Sequence, residues 1–177
     1  MENKTSEDSE LRFKRTTFPD KTVVVMGVSG CGKTTVGSAL AKALGCAFYD
    51  ADDYHPKENI AKMSRGEALN DTDRKPWLER LSGLIDSGKG RGIILACSAL
   101  KQSYRDILTE NTPVMFVYLK GDRKLIAKRI ATREHFMPLG LLESQFADLE
   151  IPEPAIQVSI DQGVSSIVEE VLNQLAQ

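Results

Sequence analysis

The residues best suited to chemistry stand together near the start of the chain. Gly27-Val28-Ser29-Gly30-Cys31-Gly32-Lys33-Thr34 fits G-x-x-x-x-G-K-[ST] at every fixed position. In such a loop the glycines let backbone N–H groups turn inward on phosphate oxygens, and a following helix adds the favourable end of its dipole. Gly27, Ser29, Gly30, Cys31, Gly32 and Thr35 would then surround the phosphates. Lys33 would reach the β- and γ-phosphates, and the Thr34 hydroxyl would ligate Mg²⁺. These residues predict a nucleoside triphosphate site.

The flanking elements have the form such a loop needs. Thr22-Val23-Val24-Val25-Met26 reads as a buried strand, and Thr35 to Leu44 has helical spacing that stops at Gly45. Cys46 to Asp50 is a short strand ending in an acid, and Ile60 and Met63 suit a short helix after it. Pro76, a favoured first helical residue, predicts a helix bearing Trp77, Leu81, Leu84 and Ile85 on one face. Ile93–Cys97, Val114–Leu119 and Ile156–Ile160 read as strands, with helices over Gln102–Leu108, after Asp122, and from Val164 to Leu175. Five short apolar strands separated by helices predict an α/β fold, a five-stranded parallel sheet with helices on both faces. Ligands in such sheets collect at the carboxyl ends of strands, where Gly27, Asp50 and Ser98 fall.

Composition narrows the classes. The 177 residues suit one domain, and 41% apolar with 27% charged is a globular balance. A net charge of −2 gives no basis for a nucleic-acid or membrane surface. No apolar run approaches the ~20 residues of a membrane span. Cys31, Cys46 and Cys97 are odd in number and widely spaced, which points to a reducing, cytoplasmic compartment rather than disulfides. Residues 1–20 are polar, with Glu2, Glu7, Asp8 and Glu10, and read as a disordered leader before a single domain over 21–177. A GTP-binding switch would need N-K-x-D, and Lys120-Gly121-Asp122 is too incomplete. Motor and transporter ATPases usually end a buried strand in an acid, whereas Ile93–Cys97 runs into Ser98. The metal-linked acid would then come from Asp50, as in small-molecule kinases.

Further segments carry a closer likeness. Asp50-Ala51-Asp52-Asp53-Tyr54-His55-Pro56 with Asn59 to Met63, Gly66 to Leu78, Cys97 to Lys101 with Tyr104-Arg105-Asp106, and His135-Phe136 with Ser144-Gln145-Phe146 resemble the gluconate kinase family. The likeness runs from about Thr22 to the C-terminus; Ala51 stands where many members have Gly. It implies a P-loop kinase fold related to shikimate and adenylate kinases, with a mobile lid around residues 129–147. It also implies ATP and Mg²⁺ as cofactors, D-gluconate as the small-molecule partner, transfer to the 6-hydroxyl, and a homodimer as in many relatives.

On that resemblance Asp50 is a ligand to Mg²⁺ through water, and Asp52 orients or deprotonates the attacking hydroxyl; otherwise the two are turn-forming acids. An anionic polyol calls for cations, and His55, Arg74, Lys101 and Arg105 lie in the shared motifs. Arg74 is preferred for the carboxylate because its fork binds bidentately. His55 could instead brace the turn before Pro56, and Arg105 could pair with Asp106 or Glu110. Arg129 and Arg133 share a helix face, Arg133 assigned to phosphate and Arg129 to adenine or phosphate; the two roles exchanged, or a solvated basic face, are the alternatives. His135 and Gln145 are further substrate contacts on the lid. The rival readings are the same fold acting on shikimate or another small acid, and a nucleotide-binding module without turnover.

Overall fold

The computed structural model describes residues 21–132 and 139–177, and among them five strands form one sheet. The strands are β1 Thr22–Met26, β2 Ala47–Asp50, β3 Ile93–Ala96, β4 Val114–Lys120 and β5 Ile156–Ser159. All pairings are parallel, in the order β2-β3-β1-β4-β5, so the first strand is central. The helices are α1 Lys33–Leu44, α2 Lys57–Ser64, α3 Asp71–Ser87, α4 Gln102–Leu108, α5 Arg123–Ala131, α6 Leu139–Asp148 and α7 Val164–Leu175. A short 3₁₀ turn spans Ala51–Tyr54.

The inner strands β1 and β3 are buried along their whole length and almost wholly apolar because both faces are covered. Side chains alternate across a strand. Val23 and Val25 therefore join Val36, Leu40, Ile167 and Val171 beneath α1 and α7. Val24 and Met26 join Trp77, Leu81, Ile85, Tyr104 and Leu108 beneath α3 and α4. Helix α1 starts and β2 ends at the same carboxyl edge of the sheet, and in the β2–β3 register Asp50 stands beside Ala96.

Two helices depart from the expectations above. The helix expected to start at Pro76 starts at Asp71, and Pro76 lies inside it. The stronger signal is the reciprocal cap, in which the Asn70 side chain accepts from Asp73 N–H and the Asp73 carboxylate accepts from Asn70 N–H. The second is α2, which turns Asn59 inward and leaves Ile60 and Met63 exposed. Its inward face is polar because Asn59 Nδ2 has the Asp73 carbonyl at 2.9 Å and His55 Nδ1 at 3.3 Å. Helix α6, which the sequence reading placed in a lid without naming a helix, packs Leu142 into the core. The leader lies outside the described residues.

Candidate active site

Between β1 and α1 the chain makes the phosphate loop, and its shape requires two of its glycines. Gly30 holds φ +83°, and a Cβ there would meet Ile130 of α5 at 2.7 Å. Gly32 holds φ +99° as the N-cap of α1, with open space where a side chain would be. A residue with a Cβ is strained in this region of φ. Lys33 Nζ folds back on the loop, donating to the carbonyls of Gly27 at 2.9 Å and Val28 at 3.1 Å. Thr34 and Thr35 follow Lys33 in the first turn of α1, so their N–H groups belong to its unsatisfied donors.

At the end of β2, Asp50 divides its carboxylate between two donors. Oδ2 accepts from Thr34 Oγ1 at 2.7 Å, and Oδ1 accepts from Asp52 N–H at 3.0 Å. That second bond caps the 3₁₀ turn and fixes where Asp52 points. Asp52 lines the cleft, with its side chain reaching solvent between the cleft walls. The cleft's desolvation raises its pKa, the Asp50 charge raises it further, and Lys33 opposes both. Among the described residues no cluster of three metal-binding side chains exists. The Thr34 hydroxyl and Asp50 carboxylate, two hard oxygens side by side, are of the kind that would suit Mg²⁺, an ion bound through few protein ligands rather than a protein cage.

The opposite wall is built on α3. The His55 ring stacks on Trp77, centroids 4.3 Å apart and 13° from parallel, while Trp77 Nε1 donates to the Ala51 carbonyl at 2.7 Å. Burial first, then the Arg74 charge, lowers the His55 pKa to about 4, so it is neutral at pH 7. Its Nε2 is 3.8 Å from Asp52 Oδ1, which is therefore not an ion pair at neutral pH. Arg74 Nη1 donates to Tyr104 Oη at 3.0 Å, and Tyr104 donates to Asp71. Lys101 Nζ reaches Asp71 Oδ1 at 3.0 Å. The Tyr104 hydrogen bond, and then that of Lys101, hold the Asp71 carboxyl below its ordinary range.

These groups meet in one cleft of ≈ 560 Å³ that joins the loop to the α3 wall. Ser29, Gly30, Gly32, Lys33, Thr34 and Thr35 line one end; Asp50 and Asp52 lie between; His55 and Arg74 line the other. Lys101 sits at the rim, joined to Arg74 through Tyr104 and Asp71.

Other expected residues fall elsewhere. Arg105 is not a substrate contact: it is 2% exposed, and its Nη1 donates to the carbonyls of Ala99 at 2.8 Å and Leu100 at 3.1 Å. Those carbonyls belong to a tight turn with Ala99 at φ 45°, and the buried guanidinium is the donor that satisfies them. Nor does it pair with Asp106 or Glu110; Gln102 Oε1 takes its other face. The Cys31 thiol points into the core, 1% exposed, and its N–H is given to the Val28 carbonyl at 3.3 Å. Gly27 holds the base of the loop, its carbonyl accepting from Lys33. Arg129 donates from Nη2 to the Ile160 carbonyl at 2.8 Å, beyond β5. Arg133 and His135 lie outside the described residues. Sequence reasoning missed Asp71, Tyr104 and Asp148 as partners of the two cations. The available signal was Asp71 three residues before Arg74, one helical turn away.

A phosphate loop at the head of the central strand, an acid at the end of the edge strand β2 and a polar second pocket define a P-loop small-molecule kinase. The shikimate kinase family model matches residues 29–153. A probable gluconokinase of Xenopus tropicalis is 46% identical over 171 residues, covering 84% of this chain and 90% of that protein. The thermosensitive gluconokinase of Escherichia coli K12 is 44% identical, with 83% of each covered. The crystal structure of a gluconokinase from Sinorhizobium meliloti 1021 superposes with a TM-score of 0.83 at 43% identity, covering 89% of this chain and 93% of that one. The chain belongs to the gluconokinase family, a branch of the shikimate-kinase-like P-loop kinases.

Proposed function

We infer that the protein transfers the γ-phosphoryl group of ATP to the 6-hydroxyl of D-gluconate, giving 6-phospho-D-gluconate and ADP. The observation that carries this is the position of Asp52, in one cleft between the phosphate loop and the Arg74 wall. In the transfer the O6–P bond forms as the bond from the γ-phosphorus to the β,γ-bridging oxygen breaks, and the hydroxyl proton passes to the Asp52 carboxylate. Such transfers need alignment and charge neutralisation more than covalent catalysis. Lys33 leaves the Gly27 and Val28 carbonyls for the β- and γ-phosphates. Thr34, and Asp50 through water, would hold Mg²⁺, which would neutralise charge on the phosphates. Arg133 serves the transferring phosphoryl group and Arg129 the adenine side. Arg74, with Lys101 at the rim, takes the gluconate carboxylate; His55, kept neutral, and His135 serve its hydroxyls. Among the described residues no helix is long and apolar enough to cross a membrane. The three cysteines are free, which supports a cytoplasmic setting; a homodimer is the assembly proposed.

The test is ADP release from MgATP with D-gluconate, other aldonates, shikimate or no acceptor. Turnover confined to gluconate is expected, because a site built on matched polar groups rejects analogues that strand them. Equal turnover with shikimate would overturn the assignment. Arg74→Ala should raise the gluconate KM roughly 10- to 100-fold while sparing ATP binding, the loss of a charge-assisted bond. A fall in ATP affinity instead would remove Arg74 from the acceptor site.

A further inference from the structure

Helix α6 turns two oxygen-bearing side chains, one helical turn apart, toward the phosphate loop and toward the Arg74–Lys101 pair. Gln145 Oε1 accepts from the Ser29 N–H at 2.7 Å, and Gln145 Nε2 donates to Ser29 Oγ at 3.0 Å. Ser29 belongs to the phosphate loop, so a carboxamide oxygen stands where a phosphate oxygen would accept. Three residues on, Asp148 places Oδ2 3.9 Å from Arg74 Nη1 and Oδ1 3.7 Å from Lys101 Nζ. A carboxylate there faces the two cations assigned to the carboxylate of the acceptor.

The helix has other means of staying in place. Leu142 is buried in the core, with Phe146 and Leu149 packed beside it, and Glu143 pairs with Arg123 of α5. Beyond its end, Glu150 N–H donates to the Leu100 carbonyl at 2.8 Å and Glu150 Oε2 accepts from Gln102 N–H at 2.6 Å. The Gln145 and Asp148 contacts are therefore exchangeable, and each has the chemistry of the ligand it faces. A neutral carboxamide is a weaker acceptor than a phosphate oxyanion, so the nucleotide wins the exchange.

We propose that α6 is an internal stand-in for both substrates, Gln145 for a phosphate oxygen and Asp148 for the acceptor carboxylate. Each substrate binds by displacing one α6 side chain. The Leu142 and Glu150 anchors keep the helix on the fold. Release of one cleft contact lets it pivot on them and weakens the other contact, so the first ligand makes the second bind more tightly. The coupling is reciprocal, since either ligand shifts the same helix. The Asp148 half rests on the gluconate reading above; the Gln145 half rests on the loop alone.

Calorimetry on the full chain tests it, with a non-hydrolysable ATP analogue and gluconate each titrated alone and in the presence of the other. Gln145→Ala is expected to tighten the analogue about fivefold, a modest coupling effect. Gln145→Glu is expected to weaken it, because a charged stand-in competes better and repels phosphate. Asp148→Asn should tighten gluconate, and Gln145→Ala and Asp148→Asn should each bring the coupling factor toward one. Weaker analogue binding by Gln145→Ala would make Gln145 a phosphate ligand and overturn the proposal. So would weaker gluconate binding by Asp148→Asn, or coupling unchanged in both variants. If the unmodified protein binds the analogue but not gluconate, the acceptor reading fails while the two Gln145 variants still decide the nucleotide half.

Discussion

Asp52 is held by one backbone bond, from its own N–H to Asp50, and is otherwise free to meet a hydroxyl. Its raised pKa makes it a better base once ionised, at the cost of a higher pH to ionise it. The activity should accordingly rise as pH passes its folded pKa, above the ordinary carboxylate value. Asp52→Asn should lower kcat by roughly 10²–10⁴-fold, the usual share of a general base, and remove that acidic limb from the pH–rate profile. The same substitution should leave thermal stability unchanged or higher. A carboxyl whose pKa is raised by folding stabilises below its unfolded pKa, and that contribution is lost as pH rises through the folded value. At neutral pH the charge is a burden that asparagine lacks; a lower Tm for Asp52→Asn would contradict this account.

The turn before α4 shows how an element can depend on a side chain that never touches a ligand. Ser98 lines the cleft and Lys101 reaches Asp71 of α3, so the path of residues 98–101 bears on the α3 wall. Arg105 holds that path from beneath by filling the Ala99 and Leu100 carbonyls. Arg105→Ala should cost about 3 kcal/mol in denaturant unfolding, since two buried acceptors lose a charged donor. Gluconate KM should rise with it, whereas nucleotide affinity stays close to that of the unmodified protein. Arg105→Lys should rescue little, because one ammonium cannot reproduce the planar fork. Full stability in Arg105→Ala would show that the turn holds without it.

For the whole molecule, the buried neutral His55 ties stability to pH. Its pKa falls from 6.5 in the unfolded chain to about 4 in the fold. Between those values the unfolded chain binds more protons, so stability is full above pH 6.5 and is lost as pH falls toward 4. The loss from this group approaches about 3 kcal/mol. Unfolding free energies at pH 7, 5.5 and 4.5 should fall in that order, and His55→Asn should flatten the slope. An equal slope in that variant would assign the effect to other groups.

The phosphate loop, the five strands and most helices were legible because they depend on local signals. Glycines at fixed spacing, apolar runs of strand length and caps such as Asp122, whose carboxylate accepts from Leu125 N–H, act over a few residues. Asn70 and Asp73 are an equally local signal, and their reciprocal cap sets the start of α3 ahead of Pro76. The sequence by itself determined the nucleotide loop, the acids at the strand end and, through shared motifs, the family. Only the tertiary structure decided how the cations are used. It paired Arg74 with Tyr104, sent Arg105 under a turn, stacked His55 on Trp77 and laid Gln145 against Ser29. Those choices join residues up to 116 positions apart, and a side chain's burial and partners arise from packing, which no spacing along the chain encodes.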